Sequence, residues 1–149
     1  MNPPTLHAMA RLALASVGVT LTVAAFAQRP PAPPGRPCNT GNCVLTVTVT
    51  DCEAEGGISV DPETVVVNSA RNMRWEIKPK NSGYVFAANG IQFDPPNAQF
   101  QPRNSPSPDQ VHLRNAKTSN GDFYYFVNIK RADGAACRQL DPFVRNVNN

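Results

Sequence analysis

Four cysteines, Cys38, Cys43, Cys52 and Cys137, carry the most reactive side chains of this 149-residue chain. As free thiolates they would bind zinc or attack an electrophile; as two disulfides they would only cross-link the fold. The spacing argues for disulfides, because zinc knuckles use paired C-x2-C ligands and none occurs here. An even cysteine count in an exported chain is read as a disulfide framework. Three pairings are possible. The segment "CNTGNC", with its turn-forming Asn-Thr-Gly, favours Cys38–Cys43 and leaves Cys52–Cys137. In the chain-entropy model the long loop contributes roughly 4–5 kcal/mol and the short one about 2 kcal/mol.

Other chemistry finds less support. Asp51, Glu53 and Glu55 recur at every second position, so an extended backbone would align three carboxylates as hard ligands for Ca²⁺. The segment lacks an Asp-rich loop with a glycine at the bend, and it reads better as a solvated acidic strand end leading into Gly56-Gly57. A serine triad needs a histidine and a nucleophile elbow; no Gly-x-Ser-x-Gly occurs. A Cys–His pair needs a free thiol, which disulfide pairing removes. Fourteen Lys and Arg against eleven Asp and Glu give a net charge of +3, with the cations scattered along the chain. A nucleic-acid binder would concentrate them in a stripe. The sequence reading is therefore no enzyme, no cofactor, no metal and no nucleic-acid partner.

The chain ends place these residues in a compartment. Arg11 precedes the apolar run Leu12 to Phe26, which closes on Ala25-Phe26-Ala27. The run is short and rich in small residues, as in a cleavable export signal rather than a membrane span. Residues 1–27 are read as a signal peptide, with no stable membrane insertion after cleavage and a periplasmic or secreted product. His7 would leave with it, so His112 is the one histidine of the mature chain. Residues 28–37, "QRPPAPPGRP", are read as a stiff proline-rich linker. Residues 38–149 then form a single domain, long enough to bury about two-thirds of its unfolded surface.

Strand signals dominate that domain. "VLTVTVT" (44–50) alternates strictly, and "NMRWEIK" (72–78) sets Met73, Trp75 and Ile77 on one face and Arg74, Glu76 and Lys78 on the other. Asp61-Pro62 marks a turn between short strands, and Asn89-Gly90 between "YVF" and "IQF" marks a hairpin. Residues 94–109 read as a long proline-rich loop with one short edge strand near Phe100. "VHLRNA" points Val111 and Leu113 inward, with His112 on the outer face. "DFYYFVNIK" is apolar on both faces and reads as a central strand. Seven to nine short strands at 8–12-residue spacing indicate an antiparallel β-sandwich.

The stretches "VVVNSARNMRWEIK" and "FYYFVNIK" resemble the layout of cupredoxin-like and immunoglobulin-like exported domains. "RWEI", "YVFAANGIQF", "YYFVNI" and "LDPFVRN" resemble small bacterial exported β-sandwich domains of unknown role. These are packing and turn motifs, so the resemblance implies fold rather than activity. A cupredoxin-like layout raises electron transfer by copper, which needs two His, a Cys thiolate and usually a Met. Here His112 stands alone, no histidine follows Cys137, and Met73 alternates with the core face. The resemblance thus implies the scaffold without the copper ligands.

Binding remains. Tyr84, Tyr124, Tyr125 and Phe126 are candidates for an aromatic surface, since neighbours along one strand lie on opposite sheet faces. Trp75, with Phe86 and Phe93 as partners, reads as the pin of the core. The function expected is a non-catalytic exported domain that binds another protein or a cell-envelope component. A metal-handling or redox protein on a cupredoxin-like scaffold, or a carbohydrate-binding module, are the alternatives.

Overall fold

The alternation of branched apolar and polar residues produces two stacked sheets. In the computed structural model, which describes residues 31–39 and 41–148, there are ten strands and no helix among those residues. In chain order they are β1 Arg36–Pro37, β2 Asn42–Val49, β3 Ile58–Asp61, β4 Thr64–Val67 and β5 Arg71–Lys78, then β6 Tyr84–Asp94, β7 Phe100–Arg103, β8 Gln110–Asn115, β9 Gly121–Arg131 and β10 Phe143–Asn146. One sheet runs β1-β4-β10-β9-β6 and the other β3-β2-β5-β8-β7. The expected signal segment, residues 1–27, lies outside the described residues.

The sandwich is all-β, but its sheets are mixed rather than antiparallel. β2 pairs with β5, β4 with β10 and β1 with β4 in parallel. Parallel neighbours need a connection that returns the chain to the starting end. β3 supplies half of that return antiparallel to β2; the chain then changes sheets at Asp61-Pro62, and β4 completes it. The second half of the expected linker is also part of the fold. Arg36–Pro37 is an edge strand on β4, Arg36 forks onto Asp61 at 2.9 and 3.0 Å, and Arg145 Nη2 donates to the Ala32 carbonyl at 3.1 Å.

Between the sheets lies one apolar core. Leu45, Val47, Met73, Trp75 and Ile77 come from one sheet, and Val67, Tyr125, Val127, Ile129 and Val144 from the other. Trp75 and Tyr125 are both 0 % exposed. Trp75 Nε1 donates to Tyr125 Oη at 3.1 Å, and the two rings meet edge-on at 5.4 Å. An indole N–H in a dry core needs such an acceptor. The same aromatic contact extends to Phe93, which stacks on Phe100 at 3.6 Å, and from Phe100 to Phe123. The ring pair of Trp75 is therefore with Tyr125, and the expected partners Phe86 and Phe93 belong to the same buried core.

Asn89-Gly90 does not turn the chain. β6 runs through it as one eleven-residue strand whose register to β9 shifts between Phe86 and Ile91. A type I′ Asn-Gly hairpin needs positive φ at both central residues, and a type II′ turn at the first; neither Asn89 nor Gly90 has it. Its lack of a Cβ serves close packing instead: a Cβ there would stand 2.8 Å from Phe86 Cβ and 3.0 Å from Val111 Cγ2. The Asn89 carbonyl accepts from Asn128 Nδ2 at 2.8 Å, which fixes the bulge to β9.

Two disulfides close the fold. Cys38–Cys43 ties the segment after β1 to β2, and Cys52–Cys137 ties the β2–β3 loop to the segment after β9. The end opposite Cys52–Cys137, where Cys38–Cys43 also lies, is closed by amides. Asn146 Nδ2 donates to Gln99 Oε1 and to the Ser119 carbonyl, each at 3.0 Å, while Asn115 Nδ2 donates to Asn146 Oδ1 at 2.8 Å. All three amide side chains are buried. The pairing of their donors and acceptors is what makes that burial affordable.

Candidate anion-binding groove

Strand alternation in β5, β7 and β8 sends every second residue out of the sandwich, and register decides which of them become neighbours. Met73, Trp75 and Leu113 point to the core, so Asn72, Arg74, His112 and Arg114 point outward. β2–β5 pairing sets Val44 beside Arg74, β5–β8 pairing sets Arg74 beside His112, and β7–β8 pairing sets Arg103 beside His112. One row across the sheet thus reads Val44, Arg74, His112, Arg103. The next reads Asn42, Asn72, Arg114, Gln101. Between them opens a groove of about 420 Å³, with Asn42, Asn72, Arg74, Arg103, His112 and Arg114 on its walls.

Two of the three guanidiniums in this groove lack the carboxylate partner that four arginines elsewhere have; Arg71, outside the groove, also lacks one among the described residues. Arg36 pairs with Asp61 at 2.9 Å, Arg131 with Glu53 at 3.3 Å, Arg138 with Glu55 at 3.7 Å and Arg145 with Asp122 at 2.6 Å. Among the described residues Arg103 and Arg114 have no carboxylate within ion-pair distance. Arg74 reaches Glu76 only at 3.8 Å, and that carboxylate is shared with Lys78 at 3.6 Å. Arg74 Nε is buried and has no hydrogen-bond acceptor among the described residues. His112 Nε2 lies within hydrogen-bond distance of Gln110 Oε1, at 3.1 Å. Its backbone N–H donates to Ser105 Oγ at 3.1 Å. Guanidiniums offer planar forks of donors suited to carboxylate or phosphate, and here three of them line one concave face.

The residues singled out from sequence are placed otherwise. All four cysteines are in disulfides. Asp51 is exposed but bonds its own turn: its Oδ1 accepts the backbone N–H of Glu53 at 2.9 Å and of Ala54 at 3.3 Å. Glu53 and Glu55 turn to Arg131 and Arg138, so the three carboxylates do not converge. No group of three His, Cys, Asp or Glu arranged for a metal occurs among the described residues.

The aromatic surface divides. Tyr125 is a core residue, and burial pushes its phenol well above its ordinary pKa. Tyr84, in phase with Phe86, packs half-buried against the core. Tyr124 and Phe126 alternate onto the outer face of the β1-β4-β10-β9-β6 sheet, and the Tyr124 ring meets Phe143 at 4.5 Å. The four therefore form no common platform. What the sequence left unread was the arginine groove: Arg74, Arg103 and Arg114 are far apart along the chain, and only strand order brings them together. Their shared outward phase in three strands was the available signal.

No protein-family model matches this chain, and no curated protein matches it. Among solved structures it is similar to a cysteine protease inhibitor from Entamoeba histolytica, with 15% sequence identity over 72% of this chain and 99% of that chain, at a TM-score of 0.36.

Proposed function

We propose that this chain is an exported, non-catalytic domain that binds another protein through the outer face of its β3-β2-β5-β8-β7 sheet. The observation that carries this reading is the groove in which Arg103 and Arg114, neither with a carboxylate in ion-pair distance among the described residues, converge with Arg74, whose one carboxylate, Glu76, is shared with Lys78. Uncompensated cations on one face repel each other and stabilise the fold little, so they are better explained by a partner. Val44, 39 % exposed, stands beside Arg74 on the same face and gives a partner an apolar contact. Export is supported by the signal-like first 27 residues and by two disulfides, which persist in oxidising compartments.

The test is affinity capture from the envelope and medium of the producing cells with wild type, an Arg103→Glu/Arg114→Glu variant and a Lys130→Glu control on the other sheet. A defined protein held by wild type and by the control, and lost by the arginine variant, is the expected result. A partner held equally by all three, or no partner at all, overturns the reading.

A further inference from the structure

The spacing of the two uncompensated guanidiniums points to the chemistry of the partner. Arg103 sits opposite His112, and Arg114 lies two residues along β8 from His112. Arg103 and Arg114 are therefore diagonal cross-strand neighbours, about 7–8 Å apart. An extended peptide rises about 3.3 Å per residue and puts alternate side chains on one face, about 7 Å apart. Two carboxylates at alternate positions of such a segment match the two forks.

We infer that the groove receives an extended acidic segment of a partner protein, with Asp or Glu at alternate positions. This rests on the protein-binding reading above and names what that surface recognises. Three features favour a short peptide over a long polyanion. Glu76 and Gln110 occupy the next row of the sheet, so the positive field ends within one groove width. Polyanion binders gather many cationic contacts, on the order of six to ten, and this face offers three arginines. Asn42 and Asn72 line the same groove with groups that both donate and accept, which suits a peptide backbone. Val44 beside Arg74 suits the apolar residues that an acidic segment would carry in between.

The experiment is fluorescence anisotropy with the full chain and two labelled peptides of equal composition. One alternates Glu and Val; the other carries its Glu residues in one block and its Val residues in another. Heparin and phosphatidylglycerol vesicles are measured alongside. The alternating peptide is expected to bind several-fold more tightly than the block peptide, to weaken with salt, and to lose at least tenfold in Arg103→Gln/Arg114→Gln. Near-ultraviolet circular dichroism of Trp75 confirms that the variant is folded. Equal binding of the two peptides, tighter binding of heparin or vesicles at the same arginines, or unchanged binding in the variant overturns the inference. If both peptides fail while the captured protein still depends on Arg103 and Arg114, the inference falls and the protein-binding reading stands.

Discussion

Replacing Tyr125 by Phe removes one oxygen from the centre of the sandwich. Its effect follows from the contact it breaks. Tyr125 Oη accepts from Trp75 Nε1 at 3.1 Å, and both residues are 0 % exposed. In the variant the indole N–H keeps its dry surroundings and loses its acceptor, which costs about 1–3 kcal/mol. Trp75→Phe leaves a void where the larger ring was and costs about 2–4 kcal/mol. In the double variant neither donor nor acceptor remains, so the two costs do not add; a coupling of about 1–2 kcal/mol is expected. Urea unfolding followed by far-ultraviolet circular dichroism measures all four proteins, including those without the single tryptophan. The alkaline limb gives a second reading. Burial raises the Tyr125 pKa in the folded state, so above pH 10, the ordinary value, the unfolded chain releases a proton that the folded chain retains. The contribution is complete below pH 10 and falls by about 1.4 kcal/mol per pH unit above it. Tyr125→Phe should lose that slope. A Tyr125→Phe variant within 0.5 kcal/mol of wild type, roughly the scatter of independent sites, or strictly additive single costs, would refute the hydrogen-bond argument.

Further perturbations have expected outcomes of their own. Asn146→Ala strands Gln99 and Asn115 in a buried site and should cost about 2–4 kcal/mol, read from the urea midpoint at unchanged m-value. Gly90→Ala sets a Cβ against Phe86 Cβ, and thermal unfolding should show about 1–3 kcal/mol of destabilisation; a more stable variant would mean that the bulge needs no glycine. Removing Cys52–Cys137 by paired serines should cost about 4–5 kcal/mol, and removing Cys38–Cys43 about 2 kcal/mol. Comparable losses for the two would contradict the dependence on loop length.

Strand identity was legible wherever the pattern was local. Met73, Trp75 and Ile77 alternate with Arg74, Glu76 and Lys78, and the structure buries the first three. The two-sheet architecture followed from that alternation. Tyr125 was not legible as a core residue, because its strand is apolar on both faces and period alone does not choose between Tyr124 and Tyr125. Asn89-Gly90 carried a hairpin signal, yet packing of Phe86 and Val111 against Gly90 decided the outcome. Parallel pairing of β2 with β5 depends on a change of sheet at Asp61-Pro62, which no local pattern encodes. The groove was hidden for the same reason. Its arginines stand on three strands, and only register makes them neighbours.

That register also makes the claim measurable at single residues. Amide chemical shifts, followed by NMR while the alternating Glu-Val peptide is added, test it most directly. The account predicts shifts confined to 42–44, 72–76, 101–103 and 110–115, the outward face around Arg74, Arg103 and Arg114. Shifts centred on Tyr124, Phe126 and Lys130, or spread evenly over both sheets, would contradict it.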